Sequence, residues 1–395
     1  MAPSGPTTHG AVPLRVAEIF RRHGEDYRRA NVLGPSQLRV LAALSCCRTA
    51  HLGGHIEHCV ACGHAHPVYN SCRDRHCPSC QAHAQRDWIA EREQRILPVR
   101  HFHVVFTLPS ELRALARSDP RAVYDLLFAA ASETLLTLGR DRLGGTLGIT
   151  MVLHTWTREL LFHPHVHCVV TAGALTDDGG WVASAPRFLF PVAVMRKLFR
   201  SIVRSGLRRR FDAGRLRVPQ DLADPRAFRA LLRSLHRKSW VVYAKAPLAG
   251  AHHVFRYLGR YTHRVGISDQ RLTALSDREV TFRTRGSHRL TLPVHEFIRR
   301  FLLHVLPDHF HKIRHYGLYS GSAVRDRLAI ARAVVRDLPT PPPPTPAPAP
   351  APAPAPVPRP CPRCGAPLGR LPLDFAGDFG IPLLWPPRRA PVDTS

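Results

Sequence analysis

The chain has 395 residues, with 56 Lys and Arg against 29 Asp and Glu, a net charge of +27 at neutral pH. Hydrophobic residues make up 44%, enough for one large core or two smaller ones, which excludes disorder throughout. The positive excess runs along the whole chain, so the expected partner is a polyanion, nucleic acid before an anionic membrane surface.

Residues Met1 to Gly10 lack the basic-then-apolar order of a signal peptide. No stretch approaches the run of about 18 apolar residues a membrane span needs. A soluble, unsecreted protein with no membrane partner is the expectation.

From Val12 to Arg48, Leu14, Ile19 and Phe20, then Leu38, Leu41 and Leu44, return at helical intervals. This predicts two short helices with a break at Gly34-Pro35. Residues 55–81 crowd Cys and His together with little apolar periodicity, as expected where metal replaces a core. Gln81 to Leu97 reads as an exposed helix leading out, closing an N-terminal region of residues 1–100.

At His101 the texture changes. HFHVVFTLP alternates and is rich in strand formers, as are Leu147–Trp156, His165–Thr171, Trp240–Lys245 and Val280–Arg285. Helical stretches lie between and after them, at Glu111–Leu143, Pro191–Phe211, Ala227–Arg237, His252–Thr262 and Val294–Leu306. Residues 101–337 therefore read as one α+β domain. Residues 338–360, dominated by Pro and Ala, predict an extended polyproline-type linker, and 361–395 form a tail.

The ten cysteines suit metal better than disulfides, because most fall in one window. Cys59-x-x-Cys62 and Cys77-x-x-Cys80 stand fourteen residues apart. Two such pairs predict one structural Zn²⁺ held tetrahedrally by four thiolates. Cys72 and His76 are surplus; they either replace one of the four or serve a second ion. Arg73, Arg75, Arg86, Arg92 and Arg95 flank this module and suit a DNA surface. Cys361-x-x-Cys364 repeats the knuckle spacing without a second pair after it, as half of a site or a remnant would.

Two further patterns carry chemistry. In LLFHPHVHCVVTAG, His163, His165 and His167 alternate, so on a strand they project to one side and make a divalent-metal site. In HHVFRYLGRYTHR, Tyr257 and Tyr261 share a helix face, interleaved by Arg256, Arg260 and Arg264. A tyrosine pair at that spacing is ordinarily packing. Beside a metal site it reads differently, because a phenol of pKa near 10 becomes an effective nucleophile when metal and arginines take up the developing charge.

With these residues in view, the sequence resembles the rolling-circle, two-tyrosine transposases of the HUH endonuclease superfamily, of the insertion sequence ninety-one type. FHVVFTLP at 102–109 resembles their first-motif strand, His165-Val166-His167 the His-hydrophobic-His motif, and Tyr257-x-x-x-Tyr261 the nucleophile motif. YNSCRDRHCPSCQ is similar to their zinc-binding module, and RHYGLYS at 314–320 to a stretch near the end of their catalytic domain. The resemblance covers about residues 12–337.

It implies a catalytic domain with a central antiparallel sheet flanked by helices, preceded by a helical, zinc-binding module. It also implies metal-dependent nicking and joining of single-stranded DNA in a bacterial cytoplasm, at the nucleoid. His165 and His167 would bind Mg²⁺ or Mn²⁺, with His163 or an unidentified residue as third ligand. Tyr257 and Tyr261 would form 5′-phosphotyrosine links, and the zinc-module arginines would hold hairpin or duplex element ends. Glu159 departs from the amide common in relatives and either joins the metal or faces solvent. Two other readings stay open: a plasmid or phage replication initiator or relaxase with the same chemistry, and a zinc-finger regulator without catalysis.

Overall fold

The computed structural model describes residues 14–81, 96–248, 266–322, 324–336 and 359–373. The N-terminal residues form α1 (Val16–Ala30), α2 (Pro35–Cys46), β1 (Gly54–His58) and β2 (Ala65–Tyr69). Next come β3 (His101–Thr107), α3 (Arg113–Ser118), α4 (Pro120–Leu143), β4 (Gly145–Thr146), β5 (Gly148–Trp156) and β6 (Phe162–Thr171). β7 (Gly173–Thr176), β8 (Trp181–Ala183), α5 (Val192–Asp212), α6 (Pro225–Arg237) and β9 (Val242–Leu248) follow. The rest are β10 (Leu272–Leu275), β11 (Glu279–Arg283), β12 (Arg289–Pro293), α7 (Val294–Leu302), β13 (Ile313–Gly317), α8 (Val324–Arg336) and β14 (Gly369–Pro372). The fold is mixed α+β with antiparallel sheets, as the sequence predicts.

The chain divides into two compact units, one of residues 1–81, 267–302 and 354–395, the other of 82–266 and 303–353. This corrects the single domain expected over 101–337. In the first unit α7 buries Val294, Phe297, Ile298, Phe301 and Leu302, and its stripe meets that of α1. The Phe20 and Phe301 rings pack edge to face at 5.1 Å. Asp269 Oδ1 accepts from the Val16 backbone N–H at 2.9 Å, and Gln37 Nε2 donates to the Leu302 carbonyl at 3.1 Å. Periodicity shows that a helix has an apolar stripe; it does not say which distant stripe covers it.

The helix break at Gly34-Pro35 is where the sequence places it, with Pro35 opening α2. Strands β1 and β2 pair with each other, and β14 adds to the free edge of β1. Strands β10, β11 and β12 make a separate antiparallel meander.

In the second unit five strands run in the order β13-β5-β6-β3-β9, every pair antiparallel. One face carries Phe102, Val104, Phe106, Ile149, Met151, Leu153, Val166, Cys168 and Val170, all in the main core with α4 and α5. Because side chains alternate along a strand, the other face carries His103, His154, His165 and His167. The apolar face anchors the sheet and leaves the histidine face outside the main core.

The predicted helix Glu111–Leu143 divides at Asp119-Pro120, where Asp119 caps α4 by accepting from the Ala122 N–H at 3.2 Å. By length and composition α4 is apolar enough to cross a membrane, contrary to the sequence expectation; 67% of its apolar window is buried, as in a core helix. The predicted helices over Gln81–Leu97 and His252–Thr262 and the polyproline linker lie wholly or largely outside the described residues.

Candidate active site and cysteine clusters

The centre of the histidine face is built by register. His154 of β5 pairs directly with His165 of β6, and His167 follows two residues on. One ring nitrogen from each of His154, His165 and His167 lies within 4.8 Å of the other two, a group that could hold a metal ion. The third member is therefore His154, not His163. His163 instead has Nδ1 3.4 Å from Arg113 Nη2, and it is absent from the converging group. The histidine-alternation pattern could not reveal His154, which sits alone in the preceding strand; only strand pairing brings it in.

The hydrogen bonds dispose these rings for metal. His165 Nδ1 donates to the His163 carbonyl at 2.7 Å, which leaves its Nε2 with a lone pair. That Nε2 is 3.1 Å from Nε2 of His167. The edge of an octahedron with metal–ligand bonds near 2.1 Å is about 3.0 Å, so two imidazoles so placed fit one cation. His167 Nδ1 is 2.8 Å from Nε2 of His103, the outer hydrogen bond that holds a ligating imidazole in one tautomer.

Burial pushes His165 down to about 4 and His167 well below the usual imidazole range. His103 also falls to about 4, through burial and then the nearby Lys245 charge. All three are neutral at pH 7, the state a metal ligand requires. Burial and then Arg113 lower His163 as well.

Strand β9 borders this face. Its Tyr243 pairs with Val105, which in turn pairs with His167, and Tyr243 is 50% exposed. Lys245 pairs with His103 and is exposed. The chain then enters residues 249–265, so Tyr257, Tyr261, Arg256, Arg260 and Arg264 all lie outside the described residues. Glu159 is exposed in the turn between β5 and β6 and belongs to no converging group among the described residues.

The RHYGLYS stretch has a structural role. Gly317 ends β13 with φ +60°, and a Cβ there would lie 1.9 Å from the Leu147 carbonyl oxygen. Two residues later Tyr319 is half-buried, its hydroxyl 3.1 Å from Nε2 of His101. His101 Nδ1 donates to the Val99 carbonyl at 2.8 Å.

The cysteines form two groups rather than one. Cys47, Cys72, Cys77 and Cys80 converge in one, and Cys59, Cys62, Cys361 and Cys364 in the other. The expected joint site of Cys59, Cys62, Cys77 and Cys80 is thus corrected: each pair finds different partners. Cys72 is a full member of the first group. His76 belongs to neither; its Nδ1 is 3.0 Å from Oδ1 of Asp74. In the first group Cys47 lies 3.7 Å from both Cys77 and Cys80, and Cys72 3.6 Å from Cys80, sulfur to sulfur. Cys47, just past α2, escapes a search for CxxC pairs because its neighbour in spacing is Cys46, which stands outside both groups. Arg73 and Arg75 occupy the loop between Cys72 and Cys77, Arg73 exposed.

Comparison with known proteins bears on this arrangement. Residues 19–108 match the family described as a transposase zinc-binding domain, and residues 148–327 match one described as a putative transposase. A putative transposase, y4qJ of Sinorhizobium fredii (strain NBRC 101917 / NGR234), is 46% identical over 345 residues, which cover 84% of this chain and 85% of that protein. The chain belongs to the two-tyrosine transposases of the IS91 family. The transposase for insertion sequence element IS801 of Pseudomonas savastanoi pv. phaseolicola is 30% identical over 292 residues, 71% of this chain and 70% of that one. No solved structure matches the chain. As a transposase it is an enzyme of insertion-sequence transposition that binds DNA and carries a zinc-binding domain. The Cys47, Cys72, Cys77 and Cys80 group lies wholly inside the matched zinc-binding segment.

Proposed function

We propose that this transposase nicks and joins single-stranded DNA by a rolling-circle route, through a 5′-phosphotyrosine, on the histidine face of the five-stranded sheet. The observation that carries the reading is that His154, His165 and His167 each bring one ring nitrogen within 4.8 Å of the others, with His103 hydrogen-bonded to His167. These three would hold Mn²⁺ or Mg²⁺, imidazole favouring Mn²⁺. When bound, the ion polarises the scissile phosphate.

Tyr257 or Tyr261 supplies the attacking oxygen. Its bond to phosphorus forms as the bond from phosphorus to the 3′ oxygen breaks; the departing strand takes up a proton and leaves as a free 3′-OH. The second tyrosine permits a second cleavage while the first strand is held. Arg256, Arg260 and Arg264 would neutralise the phosphates, Lys245 offers a further positive charge beside His103, and exposed Tyr243 offers a ring for base stacking. Structural zinc in the Cys47, Cys72, Cys77 and Cys80 group would fix the loop that carries Arg73 and Arg75 against hairpin or duplex ends.

An oligonucleotide of the element end tests this. With Mn²⁺, a 3′-labelled strand should become covalently protein-bound and a 5′-labelled strand should yield a free shortened product. Chelation, or Tyr257→Phe together with Tyr261→Phe, should abolish both. Attachment of the 5′-labelled piece instead, or an adduct indifferent to both tyrosines, would overturn the mechanism.

A further inference from the structure

Residues 59–63 read CVACG and residues 361–365 read CPRCG, and the two segments fold alike. In the first, the Gly63 N–H donates to the Cys59 carbonyl at 2.9 Å and the Cys59 N–H to the His64 carbonyl at 2.8 Å. In the second, the Gly365 N–H donates to the Cys361 carbonyl at 2.8 Å and the Cys361 N–H to the Ala366 carbonyl at 2.7 Å. Gly63 and Gly365 have left-handed φ of +69° and +78°. Nothing lies within 4 Å of a Cβ built at either, so glycine serves the backbone conformation and not a tight fit.

A turn of this kind presents both thiols of its CxxC pair to one side, and here the two turns face each other. Cys59 Sγ is 3.5 Å from that of Cys364, and Cys62 Sγ 3.6 Å from that of Cys361. A disulfide requires about 2.05 Å. A tetrahedron of sulfurs around zinc, with bonds of 2.3 Å, has edges of about 3.8 Å. Four soft thiolates in that shape select zinc over the hard oxygen-seeking cations.

The segment carrying the second turn is also seated by its backbone. β14 pairs with β1 from His55 opposite Pro372 to His58 opposite Gly369. Leu368 and Cys361 are buried in one cluster with Cys59, and Arg359 Nη1 lies 3.7 Å from the buried Glu57 carboxylate. The matched zinc-binding segment ends at residue 108 and the matched transposase segment at 327, so half of these sulfurs come from beyond both.

We propose that Cys59, Cys62, Cys361 and Cys364 bind a second zinc ion, in a composite site that clasps the C-terminal segment onto the N-terminal module. The ion closes the long loop between Cys62 and Cys361, and β14 covers an edge of β1 that would otherwise stand open to pairing with another chain. Loss of this ion frees the segment after residue 358 while the first cysteine group keeps its own.

Zinc in the full chain, purified under reducing conditions and measured by elemental mass spectrometry, should be two ions per chain. Cys361→Ser with Cys364→Ser should lower it to one. Two ions retained in that variant, or one ion in both proteins, overturns the proposal. A second measurement needs no cysteine substitution. With a protease recognition sequence placed within residues 340–357, the cut C-terminal piece should co-elute with the rest of the chain in zinc and separate when a chelator strips it. Separation in the presence of zinc, or co-elution after its complete removal, contradicts the clasp.

Discussion

On the proposed function the histidines of the sheet would divide into ligands, a positioning residue and a bystander, and each would have its own signature. His154→Ala should weaken Mn²⁺ binding and DNA nicking together, while His163→Ala, bonded toward Arg113 instead, should change Mn²⁺ affinity little; calorimetric titration separates them. His103 acts through His167, so His103→Ala should cost about 10- to 100-fold in Mn²⁺ affinity. Beside them His101 is completely buried, and burial pushes it down to about 4. Unfolding returns it to its ordinary value of about 6.5, so between those two pH values the unfolded chain binds the extra proton. Its contribution is intact above about pH 6.5 and falls as pH drops toward 4, by up to about 3 kcal/mol. Urea denaturation of metal-free protein should show that loss, and His101→Phe should remove His101's share of it, leaving the share of His103, His165 and His167, which burial lowers as well. His165 and His167 were legible from alternation alone, because a single strand fixes their common side. His154 was not, since strand pairing joins residues that sequence keeps apart.

Elements were legible where one strand or helix carries its own pattern, and ambiguous where a partner decides. The two N-terminal helices and the strands at His101–Thr107, Gly148–Trp156 and Phe162–Thr171 follow the sequence expectation closely. The short β13 escaped it: its five residues are all half-buried, with no alternation to read. Its position depends on Gly317, whose left-handed backbone brings the chain against the Leu147 carbonyl. Gly317→Ala should therefore destabilise by more than the roughly 1–2 kcal/mol of a left-handed alanine, because a backbone atom must also move. A lowered urea midpoint with unchanged slope would register it. The same logic explains the cysteines. CxxC spacing finds pairs, but which pairs share an ion depends on β14 reaching β1 across most of the chain.

At the scale of the molecule, sequence order misplaced a boundary. Residues 267–302 complete the N-terminal unit through Phe301 and Asp269, so a fragment of residues 1–100 should leave α1 poorly protected in hydrogen exchange, and adding 267–302 should restore protection. The +27 charge belongs to DNA binding, and affinity for an element-end oligonucleotide should fall at least about 100-fold between 50 and 200 mM salt. The proposed role of the histidine face in transposition is tested by the identity of the residue that takes the DNA. Tyr243 is exposed on that face, whereas Tyr257 and Tyr261 carry the motif, and trypsin cleaves the three into different peptides. Mass spectrometry of the Mn²⁺-dependent adduct after nuclease and trypsin digestion distinguishes them directly. Nucleotide mass on the peptide of Tyr257 or Tyr261 is the predicted result; nucleotide mass on the Tyr243 peptide, or no adduct formed by active protein, would contradict it.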